Sequence, residues 1–139
     1  MAPIFTGNRF GFGRRIVASA SGLSVSGGNQ EVTPGNGYKY HTFTSSGNFT
    51  ITGGEATVDM LIVAGGGGAG TPIGSGGGGG GVVYAPGRVL LAGTYPIVVG
   101  DGGAGATGQG TPGSNTLGSR GSDSTADGLT AVGGGGGHP

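Results

Sequence analysis

Three times in this chain an apolar run of β type empties directly into glycine: residues 58–64 (Val-Asp-Met-Leu-Ile-Val-Ala) into Gly65 to Gly68, residues 95–99 (Tyr-Pro-Ile-Val-Val) into Gly100-Asp101-Gly102-Gly103, and residues 129–132 (Leu-Thr-Ala-Val) into Gly133 to Gly137. A repeating unit of one strand plus one glycine stretch produces such a recurrence at a spacing of about 35 residues, and a flexible linker has no reason to show it. The glycine is therefore architectural. Each ordered glycine costs on the order of 1 kcal/mol of backbone entropy against alanine, so forty of them in 139 residues need an offset. Hydrogen-bonded packing of the glycine segments, contacts with other copies, or both would supply it. A hydrophobic content of 33% is low for a self-sufficient core, which makes oligomerisation the default expectation.

Collagen needs glycine at every third position, and Gly76 to Gly81 and Gly133 to Gly137 break that rule. A nucleotide P-loop needs Gly-Lys-Ser/Thr at its end, and no Gly-Lys pair occurs. Spacings such as Gly103-x-Gly105-x-x-Gly108 arise trivially at this glycine content and carry no dinucleotide signal without a following helix. An Arg-Gly RNA-binding segment needs many arginines, but residues 60–139 hold only Arg88 and Arg120. A linker and glycine packed as glycine remain. The second, favoured by the strand repeats, means extended three-fold helices without Cβ atoms, whose backbones approach closely and share inter-chain hydrogen bonds, capped by apolar strands.

Six basic and six acidic residues balance, and charged residues make up 9% of the chain. There is no field to hold nucleic acid or an anionic membrane surface, and too little charge for highly charged disorder. Without cysteine there is neither a disulfide framework nor a thiolate metal site. No apolar run approaches the roughly 20 residues of a membrane span, and Met1 to Phe5 lacks the apolar core of a signal peptide. Release by lysis of a host cell would place the protein outside without one.

Residues 1–30 read as an N-terminal arm. Arg9, Arg14 and Arg15 are interleaved with Phe10, Phe12 and glycine, downstream of Phe5. Two readings stand: a disordered tail with a charged patch, or a peptide that docks Phe5, Phe10 and Phe12 into another subunit while the three arginines pair with carboxylates or carbonyls there. Docking is favoured, and these six residues are the candidate anchoring site. Residues 31–139 read as a glycine-rich β domain, in full or as the first part of a longer one. Within it, alternation over 38–44, a turn at 45–48 and a strand at 49–52 predict a hairpin. The continuous apolar run 58–64 predicts a strand covered on both faces at the centre of the core. Pro86-Gly87 predicts a turn between strands 82–85 and 88–91, followed by a strand over 95–99. Residues 123–132 add one or two strands, and no segment carries a helical period. The expected fold is all-β, a short-stranded sandwich or barrel-like body with polyglycine-type loops and an extended arm.

His41 and His138, the only histidines, have no acidic cluster near them in sequence, and His41 sits on a strand where packing is its ordinary role. Asp101, Asp123 and Asp127 fall in glycine and serine loops where short polar side chains stabilise turns. No Asp-x-Asp-x-Asp spacing suggests calcium, and no nucleophile has an ordered base. No catalytic residue, metal or cofactor is expected, and the chain does not read as an enzyme.

The ordered series Tyr40-His41-Thr42-Phe43-Thr44-Ser45-Ser46-Gly47-Asn48-Phe49, then 58–70, then Tyr95 to Gly105, then Leu129 to Gly134 resembles the glycine-rich virion and tail-fibre proteins of tailed bacteriophages, especially those of marine cyanobacteria. The likeness covers roughly residues 38–137. It implies a virion appendage, often trimeric, that touches other virion proteins and in some members host surface glycans or proteins. It transfers no binding motif residue by residue. The function expected is a tail-fibre or tail-tip component anchored by its arm and serving host attachment; the alternative is a head decoration, neck whisker or cementing subunit that binds no receptor.

Overall fold

A computed structural model describes residues 22–71, 74–107 and 116–139. The anchoring candidates Phe5, Arg9, Phe10, Phe12, Arg14 and Arg15 lie outside the described residues. The described chain holds nine strands and no helix: β1 (Ser24–Ser26), β2 (Gln30–Val32), β3 (Tyr40–Thr42), β4 (Gly47–Thr52), β5 (Ala56–Val63), β6 (Val82–Leu90), β7 (Gly93–Val98), β8 (Ser124–Ala126) and β9 (Leu129–Ala131). They form an antiparallel five-stranded sheet in the order β1-β4-β7-β8-β9, a β5-β6 hairpin packed over it, and a separate β2-β3 ribbon. The sheets are open, so of the two expected forms the sandwich is present and the closed barrel is not. Strand β1, within the stretch read as an arm, pairs with β4 through Ser24↔Thr52 and Ser26↔Thr50.

Alternation explains which faces are buried. Phe49 and Ile51 of β4 point inward with Ala56 and Leu90 of the hairpin, and Leu23, Val25, Phe43, Val58, Met60, Tyr95 and Ile97 complete that cluster. A second cluster of Ile62, Ala64, Ala126 and Ala131 sits where the strands give way to glycine. Its small side chains let the two layers draw together.

Three expectations are corrected. Strands β3 and β4 do not form a hairpin: β3 pairs with β2 (His41↔Glu31) and β4 with β1 and β7. Gly27 and Gly28, at φ +118° and +98°, lie between β1 and β2 and turn the chain out of the five-stranded sheet into the ribbon. The run 58–64 is covered on one side only, because Leu61 and Val63 face outward. Pro86-Gly87 does not end a strand. Val58 pairs with Arg88 and Met60 with Ala85, so Pro86 and Gly87 together oppose Asp59 as a β-bulge inside β6. Gly87, at φ +66°, donates its N–H to Asp59 Oδ1 at 2.7 Å, which replaces the ladder bond the bulge removes.

The β8-β9 hairpin turns on Asp127-Gly128, both at positive φ (46° and 75°), the two-residue turn that matches strand twist. Arg88 of β6 clamps this turn from the other layer. Its Nη2 and Nε donate to Asp127 Oδ2, and Nη2 also to the Asp127 carbonyl. With the Arg88 side chain 40% exposed, Arg88→Ala is expected to cost about 0.5–1 kcal/mol, shrinking as salt is added, in urea unfolding at low and high ionic strength.

Candidate functional site

Each long glycine stretch continues a strand. β5 runs into segment I (64–71), segment II (74–81) runs into β6, β7 runs into segment III (100–106), segment IV (116–122) runs into β8, and β9 runs into segment V (132–138). No glycine in these segments has positive φ, so their backbone conformation does not itself demand glycine. Their bonding recurs every third residue, the period of an extended three-fold helix. The N–H groups of Ala64, Gly67 and Gly70 donate to Gly81, Gly78 and Ser75, and those of Gly65, Gly68 and Thr71 to Ser122, Ser119 and Thr116. Segment I also accepts from III (Gly103 to Gly66, Ala106 to Ala69) and from V (Gly134 to Gly65, Gly137 to Gly68). Segment II donates to V, and IV donates to both V and III. Segment I is thus the hub of a bundle, with II, V, IV and III around it.

The glycine at these contacts is steric. A Cβ on Gly67 would overlap the Gly135 carbonyl, one on Gly68 that of Ala104, one on Gly77 that of Gly67, and one on Gly134 that of Gly78. Sheets packed through side chains stand about 10 Å apart. Where the side chains vanish, the two layers close onto each other and bond through backbone in both directions. The expected three-fold glycine packing is present, but its hydrogen bonds join segments of one chain and not separate chains.

Side chains at the strand-to-glycine joints satisfy the backbone where sheet ladders stop. Ser124 Oγ, on a residue 3% exposed, donates to the Val63 carbonyl at 2.8 Å and accepts from Gly100 N at 2.9 Å, bridging both layers. Asp123 Oδ1 accepts from Gly133 N and from Arg120 Nη2, each at 2.8 Å. Ser46 Oγ accepts from Val99 N at 3.0 Å.

The candidate site is the outer face of the five-stranded sheet. The registers Ser24↔Thr52, Ser26↔Thr50, Thr50↔Thr94, Val98↔Thr125 and Thr125↔Thr130 place Ser24, Ser26, Thr50, Thr52, Thr94, Thr125 and Thr130 on one side, with Asn48 beside Pro96 and the exposed Val98 beside Thr125. All are exposed or half-exposed and none is charged. The Thr50 and Thr94 hydroxyls lie 3.5 Å apart, in hydroxyl rows that run across the strands. Alternation made Thr50 and Thr52 visible as half of a strand pattern; the gathering of the hydroxyl side chains on one face depends on strand order, which no local signal encodes. Near the β2-β3 ribbon, Tyr38 and Tyr40 form an exposed ring pair with centroids 6.3 Å apart.

His41 is a packing residue. A carbonyl only accepts, so its Nδ1–H donates to Gly27 O at 2.7 Å, and the ring lies edge-on to Phe49 with centroids 5.4 Å apart. Nε2 is buried without a partner among the described residues. Nearby, the hydrogen bond from Lys39 holds the Glu31 carboxyl below its ordinary pKa. Among the described residues no group of three or more His, Asp or Glu stands close enough to share a metal ion, and no helix is long and apolar enough to cross a membrane.

A family model described as a glycine-rich domain matches residues 41–139. That span takes in β4 to β9 and all five glycine segments. No curated protein and no solved structure matches the chain.

Proposed function

The chain belongs to the glycine-rich domain family, and we propose that it is a structural protein of a tailed-phage particle, a tail-fibre or tail-tip component that serves host attachment and whose hydroxyl-bearing sheet face binds surface glycan. The observation that carries this reading is the uncharged array of Ser24, Ser26, Asn48, Thr50, Thr52, Thr94, Thr125 and Thr130 on one face of the sheet. Neutral sugars present hydroxyl donors and acceptors without charge, and such a face meets them through hydrogen bonds, direct or through water. The exposed Tyr38-Tyr40 pair offers an apolar surface of the kind sugar rings stack on. Behind the face lie the packed clusters around Ile51 and Ala131, and the glycine bundle continues from the strand ends, so the array is held in place and little ordering entropy is lost on binding.

In this role the protein sits in the virion and touches other virion proteins, with residues 1–30 as its attachment arm and Phe5, Arg9, Phe10, Phe12, Arg14 and Arg15 as the anchors. Competition with phage adsorption to host cells tests it. The purified protein should block adsorption. Thr50→Glu combined with Thr94→Glu should raise the concentration needed at least tenfold while far-UV circular dichroism stays unchanged, because both side chains point away from the core. A protein that leaves adsorption untouched but raises the heat stability of particles would be a cementing subunit instead, and the glycan reading would fall.

A further inference from the structure

Side chains are missing at positions where the single chain does not need them to be missing. In segment II, Gly76 and Gly79 have open space where a Cβ would stand. On segment I a Cβ at Gly66 would come no closer than 3.6 Å to anything, and on segment III those at Gly102 and Gly105 no closer than 3.7 and 3.9 Å. All five could be alanine without an internal clash, yet they retain the residue that loses most conformational freedom on folding. Internal packing accounts for Gly67, Gly68, Gly77, Gly80 and Gly103, not for these.

The spare glycines lie where the bundle is unfinished. Around segment I the neighbours follow in the order II, V, IV, III, each bonded to the next, but among the described residues no bond joins III back to II. On segment I, Gly66 and Ala69, one helical turn apart, donate their N–H groups to no acceptor among the described residues. Two backbone donors spaced by three residues, one on a glycine and one on an alanine, and flanked by the open glycines of segments II and III, fit another three-fold glycine helix.

The same layer continues into an uncovered apolar face. The inner side of the β5-β6 hairpin packs on β8 and β9, as segments I and II bond to IV and V. On the outer side, the cross-strand pairs Leu61↔Tyr84 and Val63↔Val82 are open to solvent, Leu61 at 68% and Tyr84 at 63%. The apolar strand face runs into the spare glycines of segments I and II, and Gly102 and Gly105 of segment III border them at the open edge of the bundle, their Cβ positions nearest to Gly66 and Ala69.

We propose that this surface, from Leu61, Val63, Val82 and Tyr84 through Gly66 and Ala69 to the outward glycines of segments II and III, is an interface that docks a second copy of the chain, glycine segment to glycine segment and apolar face to apolar face. The occupant is another copy because the contact needs a partner with both features in the same order, and this chain carries that arrangement. An isologous contact of this kind is self-complementary, and a net charge of zero sets no long-range repulsion against it.

Light scattering on the full chain, over a dilution series, tests the interface. The unmodified protein is expected at the mass of two copies, the number at which an isologous contact closes. Gly79→Val, Gly102→Val and Leu61→Lys should each fall to the mass of one copy with an unchanged far-UV circular dichroism spectrum. Gly135→Val, which also meets open space but on segment V, away from this surface, should keep the assembled mass. An unmodified protein that is monomeric throughout overturns the proposal, and so does any folded variant of the three that stays assembled. Should a valine variant lose its spectrum, Leu61→Lys decides, since that side chain points into solvent in the single chain.

Discussion

Gly67→Ala is expected to destabilise the protein by about 3–5 kcal/mol, an effect at the upper end for a single methyl group. The added Cβ would overlap the Gly135 carbonyl, and the obstacle is backbone rather than a side chain that can swing aside. Relief requires segments I and V to move apart. That strains the bonds Gly67 N to Gly78 O and Gly78 N to Gly135 O at the heart of the bundle. Gly135→Ala is the matched control, since nothing lies within 4 Å of its Cβ position and its φ is not positive. There the loss of unfolded-state freedom should stabilise by about 0.5 kcal/mol. Urea unfolding of both variants checks the pair, and equal midpoints would mean that segments I and V are not in backbone contact.

Ser124→Ala should cost about 2–4 kcal/mol, from one small hydroxyl. Its loss leaves the Val63 carbonyl and the Gly100 N–H both without their partner in a region too tight for water to substitute freely. Those groups belong to different layers, so the hydroxyl pins them together where each changes from strand to three-fold helix. Thr125→Ala, one residue along on the outer face, should change stability by less than about 0.5 kcal/mol. Thermal unfolding of the two variants separates a joint residue from a surface one.

The alternation of apolar run and glycine stretch was legible in the sequence because it uses residue types that have few other uses, and the all-β fold and the three-fold glycine packing follow from it. Which glycine segment bonds to which was not legible. Without side chains, segments I to V carry no pattern that distinguishes partners, and a bond within the chain reads the same as one between chains. The expected hairpin over 38–52 failed because β1 and β2 lie in Ser/Gly-rich sequence whose alternation is too weak to announce strands, and they take the partners that β3 and β4 were assigned to each other. The run 58–64 is apolar on both faces, which signals cover on both. The hairpin it enters is covered on one, and the leftover signal at Leu61 and Val63 is what the docking surface uses. Asp123 reads as an ordinary loop residue and Ser124 as an ordinary strand position, since their importance lies in standing opposite the joints of other segments.

An interior made of peptide groups also changes how the protein should respond to temperature. Unfolding an ordinary core exposes mostly hydrocarbon, which raises the heat capacity and bends the stability curve so that the native state weakens in the cold as well as in the heat. Opening the glycine bundle exposes amide groups, whose hydration lowers the heat capacity and offsets part of that rise. The stability curve of this fold is therefore flatter for its size than that of a sandwich filled with leucine and valine, and the body stays close to its full stability in cold water, where hydrophobic cores lose part of theirs.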